Sequence, residues 1–163
     1  MSHLVRAVFL RVGFAQAVGF ALAVGLAVGC GGSIEISNAP MSGFIGGTAW
    51  SFGSAETNAF LSSSDQFFVD AYAEAVTPCT GAGSAVQGNR LIMNVPRQTG
   101  DYLLGSGLNE TFYVQSTGFN YVATQGRIVV NQVTDTMLSG AGHFIFDADN
   151  DVNGQFQAQI CPP

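Results

Sequence analysis

From Gly154 to Cys161 apolar and polar residues take strict turns, with Phe156, Ala158 and Ile160 on one side of an extended chain and Gln155, Gln157 and Gln159 on the other. A period of two belongs to a β-strand that is buried on one face and wet on the other. The same period runs through Gln66 to Ala75. There Phe67, Val69, Ala71, Ala73 and Ala75 should face the core, and Phe68, Asp70, Tyr72 and Glu74 should face outward. No stretch after Cys30 keeps apolar residues at helical spacing for more than a turn or two, and Gly, Ser, Thr and Asn interrupt it repeatedly. A chain punctuated in this way folds as many short antiparallel strands.

Further strands are expected at Met41 to Ile45 and Thr48 to Phe52, on either side of Gly46-Gly47, a pair suited to the positive φ angles of a tight hairpin turn. Trp50 and Phe52 give that hairpin a one-sided apolar face. Thr77 to Asn89 reads as a small-residue loop carrying Cys79, and Arg90 to Val95 as a strand ended by Pro96. Asp101 to Leu104, Thr111 to Gln115, Tyr121 to Thr124, Gly126 to Val133, Met137 to Phe146 and Gly154 to Cys161 complete the set. Gly140 and Gly142 share a face with Leu138, Phe144 and Phe146, so a bend or a close neighbour is expected there. The fold class is therefore all-β. About eight or nine strands with short sequential connections predict an antiparallel meander closing into a sandwich or a barrel.

The first 29 residues follow a different rule. Arg6 and Arg11 precede an apolar run from Val12 to Gly29 broken only by Gln16, and small residues Ala27, Val28 and Gly29 stand before Cys30. A cationic start, an apolar centre and small residues at the cut are the parts of an export signal. The end of the run resembles the lipobox of bacterial lipoproteins, with Ala27 where Leu is commoner. That resemblance implies that Cys30 receives a thioether diacylglycerol and becomes the mature N-terminus. The competing reading is an uncleaved membrane-spanning helix, because the run is longer than an ordinary signal core and close to the ~20 residues that cross a bilayer. Both readings put the rest of the chain outside the cytoplasm. The organisation is then a hydrophobic signal helix at 1–29, an acylated Cys30 with a flexible tether at 30–38, and a β-domain at 39–163.

Charge narrows the partners. Beyond Cys30 three arginines and no lysine stand against eleven acids, a formal charge of −8. Such a domain lacks the cations that nucleic-acid phosphates require, and it would be repelled by anionic lipid. Attachment to a membrane must come from the N-terminal anchor. With Cys30 acylated, Cys79 and Cys161 remain as an even pair in an oxidising compartment, and a disulfide between them is expected. A metal site on these two cysteines lacks further ligands, since His143 is the lone histidine after the signal.

A second resemblance is carried by the later half of the domain. Pro96 with Gly100-Asp101-Tyr102-Leu103-Leu104-Gly105, Gly126-Arg127-Ile128-Val129-Val130, Leu138-Ser139-Gly140 through His143-Phe144-Ile145-Phe146, and Val152-Asn153-Gly154-Gln155-Phe156 resemble small β-domains of unknown function carried by many bacterial lipoproteins. Turn glycines and core aromatics carry the likeness, so it implies an architecture and brings no catalytic residue.

Few positions carry chemistry. Asp147, Asp149, Asp151 and Asn153 form the one dense group of oxygen ligands and resemble the start of a calcium loop. Val152 stands where an EF-hand needs its turning Gly and Ala158 where it needs a bidentate Glu, so a solvated turn is the simpler reading. His143 would need a hydroxyl and a carboxylate beside it to act as a base. Asp147, four residues along the same strand, is roughly 13 Å away at strand rise. Asn109-Glu110-Thr111 matches an N-glycosylation pattern but reads as a loop-to-strand start. Phe68, Tyr72, Tyr102, Tyr113 and Tyr121 could line a binding surface.

The expected function is that of a lipid-anchored envelope protein, and the lipoprotein resemblance, with Gly31 rather than Asp after Cys30, implies the outer membrane of a Gram-negative bacterium. Its β-domain is expected to be a non-enzymatic structural or interaction module, needing no cofactor, with a protein or small-molecule partner in the envelope. The alternative is a barrel enclosing a small apolar ligand among residues such as Phe67, Val69, Phe144 and Phe156, or a calcium module at 147–153.

Overall fold

The computed structural model describes residues 34–81, 86–105 and 107–163. The expected signal helix and Cys30, expected to carry the lipid, lie outside the described residues, none of which forms a helix able to cross a membrane.

Eleven strands follow one another: β1 Ser42–Ile45, β2 Thr48–Ser51, β3 Ser54–Thr57, β4 Gln66–Tyr72, β5 Arg90–Pro96, β6 Gly100–Leu103, β7 Glu110–Val114, β8 Phe119–Val122, β9 Gln125–Val133, β10 Met137–Asp147 and β11 Asn150–Gln159. All belong to one curled sheet, a half-barrel with the order β6-β9-β10-β11-β3-β4-β5-β7-β8 and the β1–β2 hairpin attached to β11. The all-β class and the strand count along this path agree with the sequence. The simple antiparallel meander needs correction, because β11 and β3 run parallel and the spatial order is not the chain order. The physical reason is the length of β11. Its ten residues exceed what a four-residue strand can cover, so β1 pairs with Asp151–Asn153 and β3 with Gln159 along the same edge.

Local sequence accounts for the hairpin. Gly46 and Gly47 have φ of 60° and 70°, the left-handed conformation that a two-residue turn needs and that only glycine adopts without strain. The turn is then clamped from both sides. Gly46 N–H donates to Asn150 Oδ1 at 2.9 Å, and Asn89 Nδ2 donates to Ile45 O at 2.6 Å. Trp50 Nε1 donates to Asn89 O, so the one tryptophan is buried without leaving its donor unpaired.

One core is filled from the inner faces of the sheet. Val69 and Ala71 of β4, Leu91 and Met93 of β5, Ile128 of β9 and Phe144 of β10 are all fully buried in it. The alternation read for β4 holds as far as Ala71. The strand ends at Tyr72, and Ala73 and Ala75 are exposed. Tyr72, expected on the wet side, is 2% exposed. On β10 the missing side chains of Gly140 and Gly142 make room for rings. A Cβ on Gly142 would come within 2.3 Å of Phe144, and one on Gly140 within 3.1 Å of Phe156.

Glu110 is the cost inside this core. Its side chain is fully buried; Oε2 accepts Asn94 N–H at 3.2 Å, while Oε1 has no partner among the described residues. Burial pushes its pKa well above the ordinary 4.5, opposed only weakly by the Asn94 bond. The folded state therefore holds a proton that the unfolded state releases, and stability declines as pH rises above 4.5 toward the folded value. Across that window the decline is at most about 1.4 kcal/mol per pH unit. Glu110→Gln should flatten it, so urea melts of the variant at pH 4 and pH 7 should differ less than those of the parent protein.

Candidate functional site

The densest group of polar side chains lies on the outer face of β3, β4 and β5. Antiparallel pairing sets Glu56 directly opposite Asp70, and Tyr72 directly opposite Arg90. Opposed residues point the same way, so four functional groups from three strands share one surface. Tyr72 Oη donates to Glu56 Oε1 at 3.5 Å, and the second carboxylate oxygen of Glu56 accepts the backbone N–H of Cys79. Arg90 Nε stands 3.8 Å from Asp70 Oδ1, while its guanidinium lies over the Tyr113 ring at 4.7 Å.

The field at this face suppresses ionisation. Burial raises the Asp70 pKa, with the Glu56 charge adding to the rise and Arg90 opposing it. Burial, then the charges of Asp70 and Glu56, push the Tyr72 hydroxyl above its ordinary value, so it remains a neutral donor.

A disulfide between Cys79 and Cys161 builds the wall of the site, as the cysteine count predicts. It ties the C-terminal residues to the loop after β4, and Cys161 N–H donates to Thr57 Oγ1 at 2.9 Å. One open cleft of about 660 Å³ lies on the Glu56–Asp70–Tyr72 side of this wall, and another of about 770 Å³ lies on the Phe67–Arg97 side. Phe60, 93% exposed, and Leu61, 52% exposed, form an apolar lip on the first. Their loop is held in shape: Leu61 N–H donates to Asn58 Oδ1, Ser62 Oγ donates to Asn58 O, and Phe68 N–H donates to Ser62 Oγ. The exposed side chains are thus carried on a hydrogen-bonded turn.

The metal-binding expectation meets different partners. Among the described residues the one group of three His, Cys, Asp or Glu donors within 4.8 Å is Glu56, Cys79 and Cys161, and both of its sulfurs are taken by the disulfide. The acidic stretch is spent on internal bonds. Asp147 Oδ1 accepts Asp149 N–H and Asn150 Nδ2, Asp151 Oδ1 faces His143, and Asn153 Oδ1 accepts Ser37 N–H at 2.8 Å. Asp149 sits at the turn beside Gly47, whose N–H donates to the Asp149 carbonyl.

His143 also has partners that spacing along its own strand did not supply. Its Nε2 is 3.0 Å from Asp151 Oδ1 across the β10–β11 pair, and its Nδ1 is 2.9 Å from the Glu35 carbonyl. Neither nitrogen faces a hydroxyl. Of the aromatics singled out from sequence, Phe68 and Tyr72 line the cleft and Tyr113 lies under Arg90. Tyr121 packs instead against Phe119 and Phe146, and Tyr102 donates to Gln98 O.

Sequence reasoning passed over Glu56, Asp70 and Arg90. The period of two in β4 already set Phe68, Asp70 and Tyr72 on one face, which was the available signal. Ser54–Thr57 carries no such pattern, so its carboxylate could not be placed.

Comparison of the chain with protein families, curated proteins and solved structures gives no match.

Replacing Arg90 with Met keeps much of the packing on Tyr113 and removes the one charge that favours the Asp70 carboxylate. The Asp70 carboxyl carbon, followed by NMR across a pH titration, should then show its midpoint displaced further upward. An unchanged midpoint would mean that Arg90 does not act on Asp70.

Proposed function

We propose that the protein is a lipid-anchored component of the bacterial cell envelope whose β-domain is a non-catalytic binding module, the partner being met at the cleft beside the disulfide. The observation that carries the binding role is the pairing of a filled core with an ordered, exposed Phe60–Leu61 lip beside that cleft. Large apolar side chains held in water at the rim of a cleft are a costly arrangement for a domain with nothing to bind.

The enclosed-ligand alternative is less well supported. Phe67, Val69, Phe144 and Phe156 pack into the core cluster, and neither open cleft is lined by Val69, Phe144 or Phe156. The anchor rests on the sequence, on the cationic start, the apolar run and the lipobox-like residues before Cys30. Burial of acyl methylenes contributes ~0.8 kcal/mol each, so two or more chains on Cys30 hold the protein at the bilayer, by preference the outer membrane of a Gram-negative cell.

The experiment is the intact mass of the full-length chain expressed in a Gram-negative host and extracted from its membrane fraction. The expected mass is that of Cys30 to Pro163 plus acyl chains, less two hydrogens for the disulfide. A mass that retains Met1 to Gly29 would overturn the lipid anchor in favour of a membrane-spanning segment.

A further inference from the structure

Residues Ile34 to Ser37, assigned from sequence to a flexible tether, are fastened to the sheet. One row of outward-facing residues crosses four strands, each opposite the next: Leu103 on β6, Arg127 on β9, His143 on β10 and Asn153 on β11. Arg127 Nη1 donates to Ile34 O at 3.2 Å, His143 Nδ1 and Asn153 Nδ2 converge on Glu35 O, and Asn153 Oδ1 accepts Ser37 N–H. The chain is therefore gripped at three points while crossing from β11 toward β6.

We infer that the outer face of β6, β9 and β10 is the surface this domain lays against the lipid bilayer, an inference that rests on Cys30 bearing the lipid. The argument is one of reach. Three residues lie between Cys30 and Ile34, and an extended chain advances at most ~3.6 Å per residue, so an acylated Cys30 can reach no farther than about 14 Å from Ile34, which Arg127 holds. A tether free as far as residue 38 would reach about twice that distance. The face also suits contact with lipid. Leu103, opposite Arg127, is 68% exposed. On this face Asp101 is held by both Arg127 Nε at 2.8 Å and Nη2 at 2.6 Å.

The same geometry orients the binding cleft. β5 and β9 face each other across the core, so the outer face of β4 and β5 points away from the outer face of β9. Glu56, Asp70 and the Phe60–Leu61 lip are thereby turned toward the aqueous compartment.

The test uses the full-length acylated protein on phosphatidylcholine vesicles containing a nitroxide-headgroup lipid, with a fluorescent amino acid encoded at Leu103 or at Ile92 on the outer face of β5. The expected result is quenching severalfold greater at 103 than at 92, with the difference lost when Arg127→Ala and Asn153→Ala together release the strap. Equal quenching in protein that co-sediments with the vesicles and has the acylated mass would overturn the orientation alone. Protein that lacks the acyl mass and fails to co-sediment would overturn the anchor reading beneath it.

Discussion

The edge of β11 is the constraint on which the rest depends. One side of this ten-residue strand is taken by β10, and the other must satisfy a long row of backbone donors and acceptors that no single short strand can cover. Sharing that edge between β1 and β3 settles the topology. The hairpin occupies the end near Asn150, where its turn is clamped, and β3 occupies the end near Gln159, where the chain turns into the long run β3-β4-β5-β7-β8. The parallel pair is short, yet it joins the two wings of the sheet, and the Cys79–Cys161 bridge reinforces the same junction from outside.

What could be read from the sequence was whatever depended on local chemistry. Gly46-Gly47 specified a turn because positive φ is a property of single residues, and Pro96 closed β5 because it cannot serve as a ladder donor. The alternation in β11 and β4 gave the buried face of each. What could not be read was pairing between distant strands. β3 carries no apolar period, the Glu56–Asp70 and Tyr72–Arg90 oppositions exist only once β3, β4 and β5 are in register, and the Asp151 carboxylate reaches His143 from another strand. The acidic stretch at 147–153 was legible as a set of oxygen donors, because composition reports donors and not their partners. In the fold its oxygens hold Gly46, His143 and Ser37, one clamp for the hairpin and one for the strap.

Two opposite faces follow, with different chemistry. One carries the Arg127–Asp101 ion pair, a pinned N-terminal segment and an exposed leucine. The other carries two carboxylates, a buried tyrosine and an apolar lip beside a disulfide. On the proposed reading, a domain held to a lipid surface by the first and open to solvent at the second would meet a partner arriving from the aqueous side.

The most direct measurement is amide hydrogen exchange at Ser37, whose N–H is held by Asn153 Oδ1. The account predicts slow exchange in the parent protein and exchange at the rate of an unstructured chain in Asn153→Ala. Unprotected exchange at Ser37 in the parent protein itself would contradict it, because the segment leading to Cys30 would then be free of the sheet and could not fix how the domain faces the membrane.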